Sequence, residues 1–142
     1  MLNAYLTGYE MEFVLDMALA FLCGVIIGGE REIRGKDAGI GTHTLVLVGS
    51  MLFTFLSKIV DPLSTSRIAA QVITGIGFLG AGLILHKGNH IQNLTTAASI
   101  FYAAAIGMAI GFNYYLIAII ATLSCIIITR FPNLRGGHLN KE

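Results

Sequence analysis

The residues best suited to chemistry in this sequence are a few charged and polar side chains inside long apolar runs. Asp16 lies about four residues into the first run, whereas Arg67 and Gln71 lie four residues apart at the start of the third and so share a helix face. A charged group in a membrane segment costs roughly 2.5–3.5 kcal/mol and usually faces the bundle interior beside a partner. We expect Asp16 to pair with Arg67 through Gln71, either as an ion pair that fixes helix packing or as one end of a polar pathway.

A second polar group is predicted at the opposite ends of the same runs. Glu30 and Arg31 end the first helix, His43 starts the second, and Thr95 and Thr96 open the fourth. At least one of the two threonines is expected to cap its helix, because lipid cannot satisfy free backbone N–H groups. Glu30 and Arg31 form either an ordinary interfacial ion pair or part of a polar site. The other members of that site would be His43, Thr95 and Thr96.

Other chemistries find little support. The glycines in Gly75-Ile-Gly77-Phe-Leu-Gly80 form a GxGxxG pattern, but the strand, helix and downstream acid of a dinucleotide site are not predicted around it. The histidines at 43, 86, 90 and 138 lack a spacing typical of zinc, and the segment that holds His86 and His90 is predicted to be a loop. No nucleophile with a base can be assembled, so we expect no enzyme and no cofactor beyond a possible magnesium ion.

Composition predicts an integral membrane protein. Hydrophobic residues make up 55% of the 142 residues and charged residues 12%, about half the usual share in soluble domains. The apolar runs cover 13–29, 43–60, 67–85 and 97–129, and the last is too long for a single span. Because 111–115 breaks that run, we predict an all-α bundle of about five short transmembrane helices, or four spans if the last pair is re-entrant. The net charge of +1 gives nucleic-acid binding no electrostatic support.

Glycine spacing predicts where these helices pack closely. Small residues allow helix backbones to approach each other in a membrane. The third run is the richest in glycine, so we expect it to form a central helix against which the first and fourth helices pack. The predicted helix-packing glycines are Gly24, Gly28, Gly75, Gly77, Gly80, Gly82, Gly107 and Gly111.

Basic residues predict the orientation, because short cytoplasmic loops are enriched in lysine and arginine. One predicted side carries Arg31, Arg34, Lys36, Lys87, Arg130, Arg135 and Lys141, and the other carries Lys58 and Arg67. The N-terminus is therefore expected outside and the C-terminus in the cytoplasm. We divide the chain into a transmembrane domain over 1–130 and a short cytoplasmic tail over 131–142. The start of the chain is acidic and does not resemble a cleaved signal peptide. Cys23 and Cys125 lie in apolar runs, where no disulfide is expected.

Four separate blocks resemble the MgtC/SapB family in order and spacing. They are GVIIGGER over 24–31, AGIGTH over 38–43, RIAAQVITGIGFLGAG over 67–82 and LTTAA over 94–98. The resemblance, which covers roughly 13–129, implies a bacterial inner-membrane protein linked to magnesium homeostasis, to growth at low magnesium and to survival inside host phagocytes. It also implies a modulator of other membrane complexes such as the ATP synthase. The sequence looks like the short SapB form, without the cytoplasmic C-terminal domain of MgtC-type proteins.

Three departures from the family pattern surround Glu30. Gly29 stands where the family usually has leucine, Gly41 stands where it has arginine, and Gln92-Asn93 stands where it often has Arg-Gly. With two arginines replaced, we expect Glu30 to meet a cation more freely than in arginine-rich relatives. Hydrated magnesium is the candidate, because it keeps several waters and uses only one or two carboxylates.

Two functions remain open at this point. The first is a small regulatory membrane protein that docks its helices against other membrane complexes. The second is a transporter or channel for magnesium or protons, which would require a homo-oligomer because five short spans rarely enclose a pathway alone. The bilayer is a partner in either case.

Overall fold

A computed structural model describes residues 8–87 and 90–130, with five helices and one short hairpin in those ranges. The helices are α1 (Glu10–Ile33), α2 (Ile40–Val60), α3 (Arg67–Leu83), α4 (Leu94–Gly111) and α5 (Tyr115–Arg130). Strands β1 (Leu85–Lys87) and β2 (His90–Gln92) pair antiparallel between α3 and α4, where the sequence had predicted a loop. The predicted tail, 131–142, lies outside the described residues.

The predicted helical membrane bundle is confirmed. Helices α1, α2 and α4 are long and apolar enough to cross a membrane, and α3 and α5 are apolar but shorter, at 17 and 16 residues. At 1.5 Å per residue these two extend about 25 Å, slightly less than a hydrocarbon core of roughly 30 Å. The chain is thus a multi-pass membrane protein, and the number of spans made by the two shorter helices stays a prediction.

Helix α2 occupies the centre of the bundle. It packs extensively against α1 on one side and α4 on the other, and to a smaller extent against α3. A Cβ atom added to Gly24 of α1 would lie 2.5 Å from the Cα of Thr44, and one added to Gly111 of α4 would lie 2.6 Å from the carbonyl oxygen of Met51. Gly28 and Gly107 approach the α2 backbone in the same way. Glycines from both neighbours therefore let α2 pack at close range.

Helix α3 lies at the periphery, although the sequence predicted it in the centre. It packs against α4 and α2 and makes little contact with α1. Gly75, Gly77 and Gly82 have open space where a Cβ would stand, and Gly80 would only reach ordinary contact with Ala97. The glycines of α3 therefore do not bring it close to its neighbours within one chain.

The core of the bundle is an apolar band between two polar ends. At one end, which we call the Arg31 end, α1 and α5 finish while α2 and α4 begin. At the other, the Lys58 end, α1 and α5 begin while α2 and α4 finish. The residues that fill the space between them include Ala20, Cys23, Ile27, Leu47, Met51, Ala103, Ile106 and Ala118. The thiols of Cys23 and Cys125 are both free and buried.

Candidate functional sites at the two ends of the bundle

Two helices and the turn between α4 and α5 bring a closed polar triad together at the Lys58 end. The ammonium of Lys58 donates to Glu12 Oε1 at 2.5 Å and to Asn113 Oδ1 at 2.6 Å, and Asn113 Nδ2 donates to the same Glu12 oxygen at 2.8 Å. Asn113 adopts a left-handed conformation with φ of 65° in the turn between α4 and α5, a conformation that asparagine tolerates better than most residues. The turn thus carries its side chain to the start of α1 and the end of α2.

Asp16 lies one turn deeper and is fully buried, at 0% exposure. Its Oδ1 accepts a hydrogen bond of 2.8 Å from the hydroxyl of Tyr115 at the start of α5. Its Oδ2 has no hydrogen-bond partner among the described residues. The buried carboxyl therefore depends on one tyrosine for its direct contact, with the Lys58 triad close above it.

The expected pair of Asp16 with Arg67 through Gln71 is wrong. Arg67 instead forms an ion pair with Asp61 at 2.9 Å, and its side chain is 74% exposed; Gln71 is exposed as well. The cause is the peripheral position of α3, which makes little contact with α1. The start of α3 is tied instead to the end of α2, because the Ser57 hydroxyl accepts from the Ala69 amide and donates to the Thr65 carbonyl.

Sequence reasoning missed the residues that do gather at the Lys58 end. A lysine near the end of a membrane helix can extend to the headgroups without any partner. The position of Lys58 therefore gave no reason to expect an ion pair. One signal was available: Glu12, Lys58 and Asn113 all lie at predicted helix ends on the same side of the membrane. Opposite charges at one membrane depth are candidates for pairing.

At the Arg31 end, Glu30 is held between two arginines. Its Oε1 lies 3.2 Å from Arg34, the residue that follows α1, and 3.4 Å from Arg130 at the end of α5. Arg34 also donates to the carbonyl oxygen of Thr129. Two arginines thus contact this carboxylate already, and the expectation that Glu30 meets a cation more freely than in arginine-rich relatives stays a prediction.

A metal centre has no further support within the residues that the structure describes. No group of three or more histidine, cysteine, aspartate or glutamate side chains comes together there. Both arginines contact Glu30 Oε1, so magnesium held by this carboxylate and its own waters would lie beside two positive charges. The backbones of His86 and His90 lie on opposing strands, and His138 lies outside the described residues.

Arg31 points into the protein and is buried to 1% exposure. Its Nη2 donates to the Thr96 hydroxyl oxygen at 2.7 Å, and its Nε has no hydrogen-bond partner among the described residues. The adjacent Glu30 carboxylate forms its ion pairs with Arg34 and Arg130 and not with Arg31. Among the described residues, the buried guanidinium of Arg31 therefore has no ion-pair partner.

His43, also fully buried, links α2 to α4. Its Nδ1 lies 3.1 Å from the Gly39 carbonyl oxygen, and its Nε2 lies 3.1 Å from the Ser99 hydroxyl, which itself lies 2.8 Å from the Thr96 carbonyl oxygen. Hydrogen counting limits this chain, because the serine has one proton and a neutral imidazole has one N–H. All three bonds coexist only with a doubly protonated ring; a neutral ring keeps two of them.

Neither predicted threonine caps α4. The helix begins at Leu94, so the N-cap position belongs to Asn93, which makes no side-chain cap hydrogen bond. Thr96 is buried within the first turn and accepts from Arg31, whereas Thr95 is exposed. The structure therefore brings Arg31, Thr96 and His43 together through Ser99, and Thr95 stays outside this group.

The two ends of the bundle are not joined by polar side chains. The buried hydroxyls near the middle bond to their own helices: Thr54 donates to the Ser50 carbonyl oxygen and Thr122 to that of Ala118, each at 2.8 Å. The half-buried hydroxyls of Tyr102 and Ser124, 2.8 Å apart, join α4 to α5, and apolar residues fill the remaining space. Within the described chain, one copy of the protein thus holds two separate polar clusters with an apolar barrier between them.

Such a bundle, with charged clusters at both ends and an apolar centre, defines a multi-pass helical membrane protein. The chain belongs to the MgtC family, whose sequence profile matches residues 17–134. Over 141 residues it is 45% identical to the Escherichia coli K12 protein "Putative magnesium transporter YhiD", which covers 92% of this chain. It is 40% identical over 111 residues to "Protein MgtC" of Salmonella typhimurium LT2, covering 78% of this chain. "Protein MgtC" of Brucella abortus is 42% identical over 113 residues, or 79% of this chain.

These relatives are longer than the present chain. It spans 66% of the length of YhiD and 48% of the length of the Salmonella and Brucella proteins. No solved structure matches it significantly.

Proposed function

We propose that this protein acts in magnesium homeostasis at the bacterial inner membrane by docking against other membrane complexes, without catalysing a reaction itself. The link to magnesium comes from the name of the YhiD relative, which refers to magnesium transport. The observation that carries docking, in place of conduction by one copy, is the apolar barrier between the Lys58 triad and the Arg31 cluster. An ion crossing it would lose its hydration without gaining protein ligands.

The docking face that we propose is the outward side of α3. Gly75 leaves open space there and lines a groove of about 530 Å³ between α2 and α3, together with Ser50, Gln71 and otherwise apolar residues. In a membrane, small residues at an exposed helix surface permit a second helix to approach closely. By family resemblance, a component of the ATP synthase is one candidate for that second helix.

The test uses paired variants in cells that depend on this protein for growth at low magnesium. Gly75→Leu fills the open face of α3, and Ala18→Leu adds the same side chain at an exposed position of α1. Growth is measured together with chemical cross-linking of the protein to its partner complex. We expect Gly75→Leu to abolish both growth and cross-linking while the protein stays folded in the membrane. Normal growth with Gly75→Leu, or an equal defect with Ala18→Leu, would refute docking through α3.

A second candidate function is cation transport by a homo-oligomer. The observation that favours it is Gln71, an exposed polar side chain in the α2–α3 groove, where a second copy could enclose a polar path between subunits. Purified protein in liposomes would then conduct magnesium or protons, and Gln71→Leu would reduce that flux. Absence of flux from vesicles that retain the folded protein favours docking.

A further inference from the structure

The buried guanidinium of Arg31 is not explained by the proposed docking face, which lies on another helix. A charge taken out of water needs a partner of opposite sign or the protein loses the stability that folding gains elsewhere. Arg31 is 1% exposed, makes one hydrogen bond, to Thr96, and leaves its Nε unpartnered among the described residues. Arg31 thus retains an unpartnered donor and has no ion pair with a carboxylate of the described residues, so its position favours an additional anion.

The start of α4 points to the same conclusion independently. This helix has 18 residues, and no side chain caps it at Asn93. The first N–H groups of a helix have no intrahelical partners, and together with the aligned peptide dipoles they favour a negative charge. Yet the charged side chain that contacts this first turn, through Thr96, is a cation. Arg31 and the start of α4, both of which favour a negative charge, thus meet at Thr96.

We propose that Arg31 and the first turn of α4 form a binding site for a phosphate group. A phosphate suits these donors because guanidinium groups bind its oxygens in a forked geometry and helix N-termini bind them through backbone N–H groups. The Thr96 hydroxyl, which now accepts from Arg31, can turn its own proton toward the same oxygens. The site would offer charge, hydroxyl and amide donors from two helices.

The charged groups around Arg31 are consistent with an anion. Glu30, the nearest carboxylate, is engaged by Arg34 and Arg130, and Glu32 accepts from the Ile40 amide at the start of α2. His43 lies close enough to sense the charge of Arg31, and an imidazole is either neutral or positive. Glu30 offsets part of the positive charge of Arg31 from a distance, but no carboxylate of the described residues forms an ion pair with it.

The phosphate could come from a lipid headgroup or from a soluble compound, because this end of the bundle is predicted to lie at the membrane surface. The test therefore measures the melting temperature of the full chain in detergent micelles under two additions. One is inorganic phosphate, compared with sodium chloride at equal ionic strength. The other is phosphatidylglycerol, compared with a neutral galactolipid that has no phosphate.

We expect phosphate or phosphatidylglycerol to raise the melting temperature of the wild type by about 5 °C near saturation, since a ligand stabilises the state that binds it. Arg31→Gln should abolish the rise. Lys36→Gln, which removes an equal charge from the exposed loop after α1, should retain it. A response to inorganic phosphate alone identifies a soluble ligand, a response to the lipid alone identifies a headgroup, and responses to both identify a site for the group itself.

If Arg31→Gln does not fold, Arg31→Lys replaces it in the melting-temperature test. Lysine keeps the charge but gives up the planar fork, so we expect a smaller rise than in the wild type. The proposal is overturned if neither addition stabilises the wild type beyond its control. It is also overturned if Arg31→Gln responds as strongly as the wild type.

Discussion

At the scale of single residues, the buried polar groups of this protein are held by side chains that come from distant parts of the chain. Asp16 meets Tyr115, Arg31 meets Thr96, and His43 meets Ser99. Each contact joins two helices across an otherwise apolar core, where an unpaired polar group is expensive. These contacts therefore determine which helix faces meet. We expect the removal of one partner to lower the stability of the protein.

Tyr115→Phe should destabilise the protein by about 1–3 kcal/mol, because it leaves both oxygens of the buried Asp16 without a hydrogen bond from the described chain. The control is Tyr114→Phe at the neighbouring position, which is exposed and should change stability by no more than about 0.5 kcal/mol. Unfolding by denaturant in mixed micelles measures both. Equal stability of the two variants would show that the Tyr115 contact contributes nothing.

At the scale of helices, α2 is the element around which the bundle is arranged. The glycines of α1 and α4 permit its close approach on two sides, while those of α3 face open space. The packing glycines of α1 and α4 lie four residues apart, at 24 and 28 and at 107 and 111, whereas no two of the glycines at 75, 77, 80 and 82 do. Position matters as well, because a glycine contributes to packing only where another backbone is present to contact it.

Gly111→Ala and Gly77→Ala should therefore have opposite effects. The first places a methyl group 2.7 Å from the Thr54 Cβ and close to the α2 backbone, which should cost about 1–3 kcal/mol through overpacking. The second meets open space and should be neutral or stabilising by up to about 1 kcal/mol, because alanine is the better helix former. Melting temperatures in one detergent compare them. A loss of stability in Gly77→Ala would indicate that a second helix covers α3.

At the scale of the whole molecule, the bundle has two polar ends of unequal charge. Glu30, Arg34 and Arg130 gather at one end, and Glu12, Lys58 and Asn113 at the other. The excess of basic residues at the Arg31 end predicts that this end faces the cytoplasm. The orientation also decides which compartment could supply a phosphate to Arg31.

Cysteine labelling of whole cells tests this orientation. Ser64→Cys places a thiol in the exposed linker at the Lys58 end, and Lys36→Cys places one in the exposed loop at the Arg31 end. Because Cys23 and Cys125 are buried, a membrane-impermeant maleimide should label the Ser64 variant on intact cells and the Lys36 variant only after permeabilisation. The reverse pattern would place the N-terminus in the cytoplasm.

The sequence by itself determined the class of the protein, the five helices and the family, because these depend on local composition, run length and short motifs. The partners of Asp16, Arg67 and Glu30 were decided only by the tertiary structure. Helix spacing tells which residues share a face, but it does not tell which helix lies opposite that face. In the structure α2 lies at the centre and α3 at the edge. Asp16 therefore accepts a hydrogen bond from Tyr115, Arg67 forms an exposed ion pair with Asp61, and Glu30 contacts two arginines.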